Sequence, residues 1–94
     1  MAQMIVSTDT LNHMLDMAIR EWESMPDLAA EWGEWDPESR TDFVLDWPVS
    51  EERLAFLGAA AHEGNLDRDQ RARHDYLRNL VRVNRPILTK LLEE

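Results

Sequence analysis

Prolines at positions 26, 37, 48 and 86 constrain this chain more than any other feature, because the segments between them carry the 3.6-residue apolar period of an α-helix. Proline lacks an amide hydrogen and crowds the preceding turn, so it suits a first helical turn and disrupts a helix interior. The four positions therefore predict short helices in the first half and one long helix in the second. From Leu11 the apolar residues are Leu11, Met14, Leu15, Ala18, Ile19 and Trp22, a stripe at i, i+3, i+4, i+7 spacing. Thr8, Asp9 and Thr10 offer N-caps and Pro26 disfavours continuation, giving a helix over 8–24 after a tail of 1–7. Pro26–Asp27 opens a second helix over 26–35, with Leu28, Trp32 and Trp35 on one face. Asp36–Pro37–Glu38 opens a third over 37–47 carrying Phe43, Val44 and Trp47, and Pro48 closes it. The run TDFVLDW also suits a strand, but no other segment offers it a partner.

The sharpest local signal is Val49-Ser50-Glu51-Glu52-Arg53-Leu54. Ser50 reads as an N-cap, two acids fill the first turn, and Val49 is placed to staple onto Leu54. This predicts a helix over 50–63 that presents Leu54, Leu57, Gly58 and Ala61, with Phe56 and Ala60 beside them, and stops at Gly64. Asp67 and Gln70 form a capping-box pair for a last helix over 67–92, with Leu77, Leu80, Val81, Leu88 and Leu91 as its stripe and a kink or break near 85–86. The expected fold is an all-α single domain: a small bundle of four to six helices, with short helices at Trp–Pro corners and one long C-terminal helix. Ninety-four residues support one such core and no second domain.

The tryptophans bear on stability first. Burying an indole removes about 200 Å² from water, roughly 5 kcal/mol gross at about 25 cal/mol per Å². A domain stable by only about 5–15 kcal/mol cannot leave all four outside. Three are expected inside, with Trp22, Trp35 and Trp47 as the pillars of successive helix junctions.

Charge is distributed unevenly. Residues 21–52 hold Arg40 against eleven acids, a net −10, whereas residues 53–94 hold eight basic side chains against six acids, a net +2. The whole chain carries −9. Such a field repels nucleic acid at long range and favours a basic protein partner, or a second copy docked head to tail. Five of the eleven acids sit at caps or first turns, where helix dipoles account for them. The other six, Glu21, Glu23, Glu31, Glu34, Asp42 and Asp46, bracket the tryptophans without a local reason to be acidic, and are the candidate partner-binding surface. On the last helix Arg71, Arg78, Arg82 and Arg85 fall within an arc of about 60° and form a ridge roughly 20 Å long. That ridge suits pairing with the chain's own acids, hydration, or contact with phosphates.

Chemistry-bearing motifs are absent. His13, His62 and His74 lie on three different helices with no spacing that unites them as zinc ligands, and no cysteine is present. No Gly-x-Ser-x-Gly run and no glycine-rich phosphate loop occurs. Neither an enzyme nor a cofactor is expected. The opening MAQMIV has no basic residue and only a three-residue apolar run, so neither a signal peptide nor a membrane span is expected, and a cytoplasmic setting follows. Met4, Ile5 and Val6, with Leu88, Leu91 and Leu92 at the other end, are candidate contacts for a homodimer. The expected role is a non-catalytic protein-binding module, such as an inhibitor, an antitoxin-like partner or a small subunit. The alternatives are a nucleic-acid-associated protein using the Arg71–Arg85 ridge, or an acidic mimic of nucleic acid that blocks a nucleic-acid-binding protein.

Overall fold

The computed structural model describes residues 7–93, which form four α-helices and, among the described residues, no strand. The helices are α1 (Thr8–Glu23), α2 (Met25–Glu31), α3 (Pro37–His62) and α4 (Arg68–Leu92), with a 3-10 turn at Trp32–Glu34. The fold is a small all-α domain, as the periodicity predicts.

Local grammar sets most of the ends. Ser7 caps α1, its hydroxyl accepting the Thr10 N–H at 3.1 Å, one residue before the expected caps. Pro26 and Pro37 both lie in first turns, and Asp36 caps α3 by accepting the Ser39 N–H at 2.7 Å. That contact holds the Asp36 carboxyl below its ordinary range. After α3 the chain reverses through Gly64 at φ 75°, a left-handed conformation that suits glycine. Asn65 N–H reaches Ala60 O at 2.9 Å and Gly64 N–H reaches Ala61 O at 3.2 Å, capping the last carbonyls of the helix. Asp67 and Gln70 then form the anticipated capping box.

Pro48 departs from expectation. Instead of a helix ending at 47 and another starting at 50, α3 runs unbroken for 26 residues with Pro48 inside it. An interior proline costs about 3 kcal/mol, largely through the unpaired carbonyl four residues earlier. Here Pro48 is exposed while Trp47 and Ser50 beside it are buried, so the ring points to water and displaces none of the packed side chains. The Ser50 cap signal is overruled in consequence. Ser50 sits mid-helix and its hydroxyl donates to Glu21 Oε2 at 2.7 Å, while Val49 points outward instead of stapling onto Leu54. The break expected near 85–86 is likewise absent, since α4 is one 25-residue helix through an exposed Pro86.

One core joins Leu11, Leu15, Ala18 and Trp22 of α1 to Met25, to Leu57 of α3 and to Leu77 and Leu88 of α4. Helices α1 and α4 lie side by side in the same direction. Gln70 Nε2 donates to Thr8 O and Asn12 Oδ1, Arg73 pairs with Asp16, and Asn84 Nδ2 donates to Trp22 O at 3.3 Å. α3 runs antiparallel to α4, its Glu51 opposite Arg85. The buried seam of α4 is Gln70, His74, Leu77, Asn84, Leu88 and Leu91, with Val81 half-buried between. These positions alternate by three and four, the spacing of a helix packed at a shallow angle on its neighbours. Leu88 and Leu91 thus belong to the chain's own interior and are not available as dimer contacts; Leu92 is exposed, and Met4, Ile5 and Val6 lie outside the described residues.

Candidate functional site

An aromatic chain fastens the first half of α3 to the rest of the molecule. Trp22 meets Trp47 edge-on with ring centroids 5.5 Å apart, Trp47 stacks on Phe43 at 5.4 Å, and Phe43 meets Trp32 edge-on at 5.5 Å. Trp35 closes the end at 5.5 Å from Trp32. Trp22, Trp32 and Trp47 are buried and Trp35 is half-exposed. Trp32 therefore takes the interior place expected of Trp35. The reason is the 3-10 turn: it swings Trp32 under Phe43 and leaves Trp35 at the rim, where Arg40 donates to the Trp35 and Gly33 carbonyls at 3.1 and 3.2 Å. Trp22 and Trp32 bury their indole N–H groups without an acceptor among the described residues, each a cost of about 1–3 kcal/mol that the ring contacts must offset.

The six unexplained acids divide into two groups. Glu21 is structural: it accepts from Ser50 and from Arg53 at 3.0 Å, tying α1 to α3. Glu23 accepts the Tyr76 hydroxyl at 2.6 Å, a bond that pushes the phenol above its ordinary pKa, with a little help from burial. Glu31, Glu34, Asp42 and Asp46 are exposed, and no hydrogen bond or ion pair engages them among the described residues. They lie on α2, the 3-10 turn and the first half of α3.

On the same part of α3 the structure reveals a feature that sequence reasoning missed. Leu45 is 70% exposed, Val49 59% and Phe56 38%. At 100° per residue the three fall within about 40° of each other, forming an uncovered apolar stripe. Glu38, Asp42 and Glu52 lie on the same exposed side of the helix. The available signal was the spacing of 45, 49, 52 and 56, hidden by the expected break at Pro48.

The arginine ridge also divides. Arg85 is internal: its guanidinium donates to both Glu51 carboxylate oxygens, at 2.5 and 3.1 Å, and stands 5.1 Å from the Trp22 ring. Glu51 also accepts the Trp47 indole N–H at 2.7 Å. These contacts hold the Glu51 carboxyl below its ordinary pKa; the Arg85 hydrogen bond is the largest cause and partial burial opposes it. Glu51 was expected in a first turn facing a helix dipole and instead joins two helices. Arg71, Arg78 and Arg82 have no acidic partner among the described residues, and Arg82 donates only to Asn79 at 2.7 Å.

These arginines line a groove between α3 and α4. Its Arg85 end, about 490 Å³, has Leu54, Ala55 and Gly58 on one wall and Leu77, Val81 and Arg82 on the other. Its Arg71 end, about 420 Å³, is lined by Ala61, His62, Arg71, Asp75 and Arg78. His74 lies between the two at 8% exposure, and burial, reinforced by Arg78 and opposed by Asp75, holds its imidazole below the ordinary pKa. His13 and His62 are exposed, His62 lines the same pocket as His74, and no group of three metal-ligating side chains occurs among the described residues. No helix of the described residues is long and apolar enough to cross a membrane.

Set against known proteins, the chain matches no protein-family model, no curated protein and no solved structure.

Proposed function

We propose that this chain is a non-catalytic protein-binding module that offers the outer face of α3 to a partner whose surface is both basic and apolar. One observation carries the reading: Leu45, Val49 and Phe56 lie open to water on one side of α3, interspersed with the carboxylates of Glu38, Asp42 and Glu52, which pair with nothing among the described residues. Isolated exposed apolar residues need no explanation, but an aligned set mixed with one sign of charge has the character of an interaction patch. The apolar residues supply binding energy, and the carboxylates supply on-rate and selection against acidic partners. The helix beneath is held by the aromatic chain, so the patch is presented on a rigid element.

A labelled chain titrated with a helical peptide of alternating Lys and Leu faces tests this. Backbone amide shifts are expected at Leu45, Val49 and Glu52, and the double variant Leu45→Lys, Val49→Lys should weaken binding at least about tenfold, the loss of roughly 1.4 kcal/mol or more. Shifts confined to other surfaces would refute the reading.

Association with nucleic acid is the second reading, supported by Arg71, Arg78 and Arg82, which have no acidic partner among the described residues. The net charge of −9 opposes it at long range. Duplex DNA binding at low salt that vanishes in Arg78→Glu, Arg82→Glu would reverse the order of the two.

A further inference from the structure

We propose that the α3–α4 groove of one copy receives the α3 stripe of another, so that the chain associates with itself head to tail. This rests on the reading of the stripe as a docking face, and it names the partner.

The groove has the chemistry the stripe requires. Its α3 wall is small and apolar, with Ala55, Gly58 and Ala61 following one another at three-residue spacing. A Cβ placed on Gly58 would meet no atom within 4 Å, so there is room above it for a guest side chain. Its rim carries Arg71, Arg78 and Arg82, which have no acidic partner among the described residues, against the one carboxylate Asp75 and the paired Glu51 and Arg85, a net positive balance. His74 adds a nearly buried imidazole that no hydrogen bond engages among the described residues, a group that a guest carboxylate would satisfy.

The dimensions agree as well. Arg71 to Arg82 spans eleven residues of helix, about 16 Å, and Asp42 to Glu52 spans ten, about 15 Å. A guest helix laid along the groove brings Asp42 and Glu52 within reach of the arginines together with Leu45, Val49 and Phe56, because all five project from one side of the helix. Charge also excludes the symmetric arrangements. Stripe on stripe opposes carboxylates to carboxylates, and groove on groove opposes arginines to arginines, so neither makes a two-fold dimer. The net charge of −9 on each copy does not forbid approach at physiological salt, where charges more than about 8 Å apart are largely screened and local complementarity decides.

Geometry then fixes the kind of assembly. On α3 the stripe residues 45, 49 and 56 and the groove residues 54, 58 and 61 point in roughly opposite directions at 100° per residue. A copy docked through one face keeps its other face free. The contact is heterologous and extends into open chains without closing as a pair.

The test uses the full chain and two variants. Groove variant Arg78→Glu, Arg82→Glu and stripe variant Leu45→Lys, Val49→Lys alter exposed positions, and circular dichroism verifies that each folds. Sedimentation velocity over rising concentration should show the wild type passing beyond twice the monomer mass, while each variant alone stays monomeric. Mixed in equal amounts, the variants should form a complex that stops at twice the monomer mass, since one supplies only a groove and the other only a stripe. A wild type that stays monomeric at millimolar concentration overturns the inference, as does self-association that persists in either variant. An acidic amphipathic peptide that shifts His74 and Arg78 amides in a chain that never self-associates also overturns it, assigning the groove to another occupant. If the Lys–Leu peptide still binds the stripe in these cases, the broader reading stands; if it does not, that reading falls too.

Discussion

Helix α4 meets α1 and α3 along seams of opposite character. Against α1 the seam is closed: leucines fill the interior, and Gln70, Arg73 and Asn84 each find a polar partner on the facing helix. Against α3 the seam is fastened at one end by Glu51 and Arg85 and then opens, because α3 offers Ala55, Gly58 and Ala61 where large side chains would be needed to fill it. The same helix is thus complete on one side and unfinished on the other. Arg71, Arg78 and Arg82, which pair with no acid among the described residues, gather on the unfinished side. Side-chain volume decides which seam can serve as structure and which remains available for recognition.

Leu15→Ala tests the closed seam most severely. Leu15 is 0% exposed, and its truncation should cost about 3 kcal/mol in urea unfolding. Leu54→Ala on the groove wall, where Leu54 is half-buried, should cost less than half as much. Equal losses would show that the two seams do not differ. Next in size is Asn84→Ala, which strips Trp22 O of a buried donor and should cost about 1–2 kcal/mol by the same measurement.

Acid titration of the melting temperature separates two smaller contributions. His74 is held below its ordinary 6.5, so the unfolded chain takes up that proton first and stability should begin to fall as pH drops below 6.5. His74→Gln should remove this limb. Glu51 is held below its ordinary 4.5, so the stability it contributes is present above pH 4.5 and lost as pH falls through the folded value. Glu51→Gln should flatten that second limb. Its cost at pH 7 should be no more than about 1 kcal/mol, because the Glu51 side chain is 37% exposed and water screens the pair. The smallest effect expected is a gain. Gly58→Ala places a methyl in open space on a helix and should stabilise by about 0.5 kcal/mol. A loss there would mean the groove is more tightly filled than described.

The helices whose ends are local were legible. Asp36–Pro37, Asp67 with Gln70, and Gly64 each act within a few residues, and each does what its chemistry predicts. Pro48 was misread because its cost is local while its compensation is distant, in the packing of Trp47 and in Ser50 bonding to Glu21, 29 residues away in the chain. The stripe on α3 was invisible for the same reason, since it exists only if the helix is continuous. Among the six acids, nothing in the sequence distinguishes Glu21 and Glu23, which meet Arg53 and Tyr76 from other helices, from Glu31, Glu34, Asp42 and Asp46, which remain in water.

By itself the sequence determined the helical class, the helix starts at Asp36 and Asp67, the stop at Gly64, the amphipathic faces of α1 and α4, and the split between an acidic middle and a basic last third. All of these depend on residues near one another along the chain. Tertiary structure alone decided that Pro48 is tolerated, that Trp32 lies inside and Trp35 at the rim, and which charges pair. Those outcomes balance a local cost against contacts between distant segments, and only the folded packing sets the second quantity.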